Sequence, residues 1–284
     1  AVVLLIQNVP QQPPSDTFDY VRLGDRVASG HWLTFPDGQS DFSRPPGYPL
    51  FLGGVIRIQR YVGFDWLSFR LVAGCAQILL SVLSIWLFSH TIRRRVPIYG
   101  ARLGLITAVL FCFSVDAVPW SASLLTEALS LPLLTIGCSL LLWDEQPRMP
   151  ILLAAGGVFG YAVLVRSAVI PVVIVALALI AITSHRKLIV KQLACFVIGL
   201  SALICPWLLY SHNETGHLMI DTTSGQNLCL GSSEYATGSW NEHCNPTKGQ
   251  TPVEFMDDQT AKAKQWALEH PGAWLRLRLQ NALL

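Results

Sequence analysis

Charged side chains are scarce in this sequence. Only 13% of the 284 residues are Asp, Glu, Lys or Arg, whereas 52% are hydrophobic. About a quarter of the residues of a soluble domain are charged, so the composition excludes an ordinary soluble protein. The formal net charge is only +2, which gives no basic surface for a nucleic acid. The sequence also lacks a glycine-rich strand-to-helix turn and an Asp-x-Asp pair, and this excludes the usual nucleotide-sugar enzymes.

What is present is a series of long apolar runs. A membrane-spanning helix needs about 20 mostly apolar residues, and the runs predict an all-α polytopic membrane protein. The fourth and fifth runs are short, and a single bent helix pair is the alternative reading for them. The six predicted spans are Leu71–Ser89, Tyr99–Val115, Ser121–Trp143, Ile151–Val165, Ala168–Thr183 and Leu188–Tyr210.

The ends of the sequence predict further spans. Ala1–Ile6 is apolar but too short to cross, and no charged region precedes it as in a signal peptide. We therefore expect a fragment of a longer protein. Residues 1–10 are interpreted as the end of a first transmembrane helix, 11–67 as an external loop, and 68–210 as a bundle of about six helices. Residues 211–284 are interpreted as an external loop and a helix leading to another span.

Basic residues predict the orientation, because Lys and Arg collect in cytoplasmic loops. Three of the loops between the predicted spans carry them: Arg93–Arg95 with Arg102, Arg148, and His185–Lys187 with Lys191. The opposite, non-cytoplasmic face would then carry residues 11–67, the turn from Val115 to Trp120, the Arg166–Ser167 turn and everything after Tyr210.

The external segments show helix signals of their own. Asp16 is expected to cap a helix that reaches about Ala28 and ends at Gly30, with Tyr20, Leu23 and Val27 on its apolar face. A second amphipathic helix is predicted from Pro46 to Tyr61, with Leu50, Phe51, Val55 and Ile58 along one side. Thr251–Glu254 has the form of a capping box, and the helix that it opens is predicted to reach about Glu269, before Pro271 and Gly272.

Two of the seven cysteines lie outside the predicted spans. Cys229 and Cys244 are both in the long external loop, where an oxidising compartment permits a disulfide between them. Two alternatives stay open from the sequence: free thiols, or a zinc site with His212, His217 or His243, although the spacing matches no common ligand pattern.

The four charged residues least explained by topology or solvation are Asp16, Arg44, Glu127 and Arg166. Glu127 lies about two turns inside a predicted span, where a carboxylate is costly unless it faces a polar cavity. Together the four would provide acid/base or metal-binding groups and a phosphate site in one external pocket. The structural alternatives are that Asp16 only caps its helix, that Arg44 reaches toward lipid headgroups, and that Glu127 and Arg166 only pair with each other.

The order of these residues resembles that of the GT-C glycosyltransferases. Asp16 is followed by Tyr20, then by Arg44–Pro49 (Arg-Pro-Pro-Gly-Tyr-Pro). Thr126–Glu127, Val165–Arg166 and the Glu-His-Pro-Gly of residues 269–272 come next. The chain is most similar to the bacterial branch related to protein O-mannosyltransferases and the lipid A aminoarabinose transferase. The resemblance implies a GT-C-like bundle with amphipathic helices in the first external loop.

The resemblance also implies an activity and its residues. These membrane enzymes move a sugar from a polyprenyl-phosphate carrier to an acceptor, with inversion at the anomeric carbon. Asp16 would bind a divalent metal ion or activate the acceptor, and Glu127 would be a second catalytic acid. Arg44 and Arg166 would bind the carrier phosphate. Ser43 departs from the family, which often has an acidic residue there, and this weakens the metal assignment.

The expected setting is the bacterial inner membrane, with the active site on the periplasmic face. The acceptor is expected to be a lipid, a protein or a glycan, and no nucleic-acid partner is expected. Two other classes of protein stay open from the sequence. An O-antigen ligase or polymerase would offer His and Arg pairs in a large external loop, of which His212 and His217 are the only hint. A non-catalytic transport or assembly protein is the other.

Overall fold

Helices form the regular structure of the chain. The computed structural model describes residues 15–35, 38–63, 69–96, 98–112, 123–236, 241–245 and 250–283. Within these ranges there is no strand, and the only β contact is an isolated antiparallel bridge between Thr34 and Ser40. The prediction of an all-α protein is therefore confirmed. The predicted end of a first span at residues 1–10 and the turn from Val115 to Trp120 lie outside the described residues.

Eleven α-helices occur in the described residues. In chain order they are α1 Ser15–Ala28, α2 Gly47–Val62, α3 Phe69–Arg95, α4 Gly100–Cys112, α5 Glu127–Leu141, α6 Met149–Val165, α7 Ile170–Thr183, α8 Ile189–Thr215, α9 Thr223–Gly231, α10 Pro252–Glu269 and α11 Pro271–Leu283. Two compact units can be distinguished: the chain up to Ser40 with Pro45–Tyr210, and Asp41–Arg44 with Ser211–Leu284.

Six helices of the first unit coincide in position with the six predicted spans. Helices α3 and α8 have 27 residues each and are apolar enough to cross a membrane, whereas α4 to α7 are shorter apolar helices. Many apolar side chains on these helices are exposed, such as Leu79, Ile182 and Leu209. So many exposed apolar side chains on apolar helices are typical of a lipid-facing bundle.

The short helices α6 and α7 run in opposite directions. Gln146, just before α6, donates from Nε2 to the carbonyl oxygen of Thr183 at the end of α7, at 3.0 Å. The chain therefore travels along the bundle and returns, with the reversal at Arg166 and the 3₁₀ turn Ser167–Val169. The fourth and fifth predicted spans are therefore two helices joined by a reversal.

One end of the bundle carries the basic loops, and we call it the Arg94 end: residues 93–95, 143–147 and 183–192. Arg94 pairs with Asp144 at 3.3 Å, and Arg95 pairs with Glu145 at 3.7 Å. Gln192 donates to the carbonyl oxygen of Pro147 at 3.3 Å. The three basic loops therefore lie together, as their predicted common side requires. Which side of the membrane they face stays a prediction.

Glycines bring α6 and α8 into backbone contact. A Cβ atom on Gly156 would overlap the carbonyl oxygen of Phe196, and one on Gly160 would lie 2.7 Å from the carbonyl oxygen of Leu200. On α8, Gly199 is equally close to Leu153. Gly156 and Gly160 form a G-x-x-x-G spacing, which lets helices approach closely where lipid supplies no hydrophobic driving force.

The first external segment forms a helix pair. Helix α1 ends before Gly30, whose φ is +82°, and α2 ends at Gly63 in the left-handed conformation. Gly24 and Gly53 allow α1 and α2 to cross in close contact, and Arg60 of α2 pairs with Asp25 of α1 at 2.6 Å.

Two details of this helix pair differ from the predictions. Helix α1 begins at Ser15, so Asp16 lies within the first turn and is not the cap residue. On α2 the buried side chains are Tyr48, Pro49, Leu52, Val55 and Ile56, whereas Ile58 is exposed. The buried side of α2 is rotated from the predicted one because the contact with α1 passes through Gly53.

The second unit is held by covalent and capping interactions. Cys229 and Cys244 form a disulfide with Cα atoms 5.7 Å apart, so the predicted bond is confirmed and these thiols are not available for zinc. Helix α10 begins with the predicted capping box between Thr251 and Glu254 and ends at Glu269. The helix therefore ends before Pro271, and a new helix, α11, begins at Pro271 itself.

Candidate functional site

An ion pair lies at the end of the bundle opposite the Arg94 end. Arg166 ends α6 in an extended conformation (φ −154°, ψ 113°), which turns its side chain away from the helix path. Its Nη1 donates to Oε1 of Glu127, in the first turn of α5. Two of the four predicted site residues therefore meet, and each keeps about a third or more of its side chain exposed, 42% for Arg166 and 31% for Glu127.

Thr126 ties this pair together. Its hydroxyl donates to Oε2 of Glu127 at 3.1 Å and lies 3.5 Å from Nη1 of Arg166. Thr126 is itself buried. Because both carboxylate oxygens of Glu127 accept hydrogen bonds, the orientation of this side chain is fixed.

The Gly47–Tyr48 dipeptide packs beside the pair. A Cβ atom on Gly47 would lie 2.6 Å from the backbone nitrogen of Val165, so only glycine fits here. The hydroxyl of Tyr161 donates to the carbonyl oxygen of Gly47 at 2.9 Å. The glycine of the Arg-Pro-Pro-Gly-Tyr-Pro segment is therefore required by packing. Gly47 lies directly against the last turn of α6, immediately before Arg166.

Tyr48 connects the dipeptide to the bundle. It is fully buried, and its hydroxyl donates to Oε1 of Gln77 on α3 at 2.7 Å. Gln77 in turn donates from Nε2 to the carbonyl oxygen of Ser123 at 3.0 Å. Burial raises the pKa of Tyr48 well above its usual range, and the nearby Tyr20 and Glu127 raise it further. The hydroxyl therefore remains a donor at physiological pH.

We call this region the Arg166 end: residues 47–48, 123–127 and 161–167, together with Gln77. It combines a guanidinium, a carboxylate, two tyrosine hydroxyls and a threonine hydroxyl within one part of the first unit. The partly exposed guanidinium and carboxylate are suited to binding a phosphate and a hydroxylated substrate, and the hydroxyl groups hold the surrounding backbone and side chains in place.

Asp16 shares a face of helix α1 with Tyr20, which contacts this region. Tyr20 lies one helical turn after Asp16 and therefore on the same face of α1. The Tyr20 ring contacts the Tyr48 ring edge to face, with centroids 5.2 Å apart. Helix α1 thus places the predicted base on the side of the helix that packs against the Arg166 end through Tyr48.

Arg44 belongs to the second compact unit and is half-buried. The neighbouring Ser43 donates from its backbone nitrogen to Oδ1 of Asp41 at 2.9 Å, and Phe42 accepts from the backbone nitrogen of Thr222 at 2.9 Å. The segment that carries Arg44 is therefore anchored within that unit, and a shared pocket of all four predicted residues stays a prediction.

A protein-bound metal ion is usually held by several carboxylate, thiolate or imidazole ligands. No group of three or more His, Cys, Asp and Glu side chains that could hold one occurs in the described residues. Ser43, which stands where the family often has an acid, donates its hydroxyl proton to Asp41. The metal-binding role of Asp16 stays a prediction, and no chemical step below depends on it.

Three residues of the site were not predicted: Tyr48, Gln77 and Thr126. Tyr48 was part of the recognised segment but had no role. A signal for Gln77 existed, because an amide in the middle of an apolar span is costly without partners. Thr126 was part of the recognised Thr-Glu pair but, like Tyr48, had no role until its contacts with Glu127 and Arg166 were seen.

The fold and this site together define an all-α membrane protein with a charged polar site at one end of its bundle. The sequence pattern of the dolichyl-phosphate-mannose-protein mannosyltransferase family matches residues 43–210, more than half of the chain. The chain therefore belongs to this family, and it is a membrane glycosyltransferase of the GT-C type. Searches of curated proteins and of solved structures each found no match.

The matched range divides the predicted site. Arg44, Glu127 and Arg166 lie within residues 43–210, as do Tyr48 and Gln77, whereas Asp16 lies before them. The family match therefore covers the Arg166 end and does not reach Asp16, and the role of each of these residues stays a prediction.

Proposed function

We propose that this protein transfers a sugar from a polyprenyl-phosphate carrier to a lipid, protein or glycan acceptor on the periplasmic or luminal side of the membrane, with inversion at the anomeric carbon. The observation that carries the proposal is the partly exposed Arg166–Glu127 pair at one end of an apolar bundle. A carrier of this kind keeps its tail in the bilayer and its phosphate at the interface, so its enzyme needs a cation at that depth.

Arg166 is suited to the carrier phosphate while it holds Glu127. A guanidinium has five N–H donors in a planar fork, and the pairing with Glu127 uses Nη1. The remaining donors are oriented by that pairing. Arg166 would therefore bind phosphate oxygens from a fixed position, which reduces the loss of side-chain entropy on binding.

The reaction is a single displacement. The acceptor oxygen attacks the anomeric carbon, the bond from that carbon to the phosphate oxygen breaks, and polyprenyl phosphate leaves with the electron pair. We assign Asp16 as the base that takes the acceptor proton. Arg166 and Arg44 stabilise the negative charge that develops on the leaving phosphate. Glu127 orients Arg166 and offers a second carboxylate near the reacting groups.

The test works whichever sugar the carrier holds. In cells that lack the protein, the unused lipid-linked donor should accumulate, and mass spectrometry of extracted polyprenyl-phosphate sugars identifies it. Complementation with the full-length protein should remove the accumulation, whereas the Asp16→Asn variant should not, although it is made at normal levels. Asp19→Asn, three residues along the same helix, is the matched control and should behave like the unmodified protein.

Two results would contradict the proposal. If no polyprenyl-linked sugar accumulates in the deletion strain, the donor class is wrong. If the donor accumulates but Asp16→Asn restores its use, the protein is a transferase and Asp16 is not the base.

A further inference from the structure

Gln77 is the least expected residue of the Arg166 end. It lies in the long apolar helix α3 and is fully buried. An amide within a membrane span is costly unless both of its ends are hydrogen-bonded. Here Oε1 accepts from Tyr48 at 2.7 Å and Nε2 donates to the carbonyl oxygen of Ser123 at 3.0 Å. Gln77 therefore joins α2 to the segment that begins α5.

The contact with Ser123 fixes the turn that carries the acid of the site. Residues 123–126 are not helical, so the carbonyl group of Ser123 needs a donor from elsewhere in the fold. The first helical bonds follow directly, from the nitrogen of Ala128 to Leu125 and from that of Ser130 to Thr126. The hydrogen bond from Gln77 to Ser123 therefore helps to fix the position of the first turn of α5, which carries Glu127.

The other partner of Gln77 fixes the residue that precedes Arg166. Tyr48 follows Gly47, which is in backbone contact with Val165 and accepts a hydrogen bond from Tyr161. The dipeptide therefore contacts the end of α6 on one side and, through Gln77, the start of α5 on the other. These are the two helix ends that carry Arg166 and Glu127.

We infer that Gln77, together with Tyr48, is a positioning residue that sets the geometry of the Glu127–Arg166 pair and through it the affinity for the carrier phosphate. The inference rests on the proposed function of Arg166. It adds a residue on a membrane span, outside the charged set, to the determinants of donor binding.

The experiment measures binding of the sugar-free product, undecaprenyl phosphate, to the full-length protein in lipid nanodiscs. Gln77→Met keeps the approximate size of the side chain and removes the hydrogen bonds to Tyr48 and Ser123. We expect it to weaken binding about tenfold, as loss of a bonded buried amide implies. Gln192→Met is the matched control, because Gln192 is also buried but bonds Pro147 at the Arg94 end. It should change binding less than about twofold.

A double-mutant cycle separates positioning from general damage. In a Glu127→Gln background, Gln77→Met should cause no further loss beyond about twofold, because the pair that it positions is already changed. If the tenfold loss persists in that background, Gln77 acts by another route and the inference is overturned. If Gln77→Met does not fold, Tyr48→Phe replaces it in the same cycle, with an expected loss of about threefold.

The Gln77→Glu variant gives a readout that a purely structural role would not produce. A protonated glutamic acid can accept from Tyr48 and donate to Ser123 as glutamine does, whereas its anion cannot donate. Burial raises the pKa of such a carboxyl group. Relative to the unmodified protein, binding should be nearly normal at low pH and fall toward that of Gln77→Met as pH rises. A ratio that does not vary with pH would contradict the inference.

The two proposals fail in distinguishable ways. If Arg166→Gln leaves carrier binding unchanged, the proposed phosphate site is wrong. If Arg166→Gln weakens binding but Gln77→Met does not, the phosphate site stands and the positioning role of Gln77 alone is wrong.

Discussion

The two ends of the bundle each contain an arginine paired with a carboxylate, and their exposure is nearly the same. Arg94 and Asp144 have side chains 46% and 35% exposed, compared with 42% and 31% for Arg166 and Glu127. Exposure therefore does not distinguish a site from an ordinary interfacial pair. The surroundings of the two pairs do.

At the Arg94 end the neighbours are charges and aromatic rings. The Arg94 guanidinium lies 4.7 Å from the ring centroid of Trp143. His90 stacks on Trp86 and makes a tilted ring contact with Trp143. Such a set is typical of a membrane–water interface, where aromatic and basic residues anchor the helix ends. The pair there has a sufficient structural explanation.

At the Arg166 end the neighbours are buried neutral donors and acceptors. Thr126 bonds to Glu127 directly, and Tyr48 and Gln77 hold the backbone on both sides of the pair. Buried polar groups of this kind fix geometry at an energetic cost. The difference shows that an ion pair is a candidate site when its orientation is specified by further buried polar groups.

The largest expected effect concerns which side of the membrane each end of the bundle faces. We replace the native cysteines outside the disulfide with alanine and introduce Arg94→Cys or Ala168→Cys, both at exposed positions. An impermeant maleimide added to intact cells should label the second variant and not the first, because the basic loops are predicted to be cytoplasmic. Labelling of Arg94→Cys from outside would reverse the assignment of the two ends.

The next effect is on sugar transfer. Arg166→Gln should reduce transfer from the polyprenyl-phosphate donor about 100-fold or more, as loss of a charge-stabilising donor does. Arg94→Gln should remain within about threefold of the unmodified protein. Equal losses of sugar transfer in Arg166→Gln and Arg94→Gln would show that the surroundings of the two pairs do not distinguish a functional site from an anchoring pair.

A smaller effect is expected between the ends, where α6 and α8 touch. Gly156→Ala should destabilise the protein by about 1–3 kcal/mol, because its Cβ atom overlaps the Phe196 carbonyl oxygen. A Cβ atom on Gly157 would lie 3.9 Å from its nearest neighbour, the carbonyl oxygen of Gly199. Gly157→Ala should therefore change the free energy of unfolding by no more than about 0.5 kcal/mol. Thermal denaturation in detergent compares the two variants. Similar melting temperatures for both would contradict the close packing.

The smallest effect is expected for the pair at the Arg94 end. Asp144→Asn should lower the free energy of unfolding by less than about 1 kcal/mol, since exposed pairs contribute little. The difference should disappear in 1 M salt, where the screening length is about 3 Å. A loss that is larger and independent of salt would indicate that the Arg94 end also has a specified site.

Much of the helical framework was predictable from local patterns. The six apolar runs, the capping box at Thr251 and the turn after Ala28 all depend on residues that are close in sequence. The disulfide was predictable because the membrane leaves only two cysteines outside the spans. The buried side of α2 was predicted incorrectly, because it depends on the contact with a partner helix and not only on the periodicity of α2 itself.

The sequence by itself determined that this chain is an all-α membrane protein, that charge is rare in it, and that Glu127 and Arg166 need an explanation. Composition and local spacing are sufficient for that, because the cost of charge and of unpaired backbone groups in lipid restricts the alternatives. Only the tertiary structure decided that these two residues pair, that Gly47 lies against Val165, and that Gln77 bridges Tyr48 and Ser123. Each of these contacts joins residues separated by at least 29 positions in the chain, and such contacts arise from the packing of helices, which local patterns do not specify.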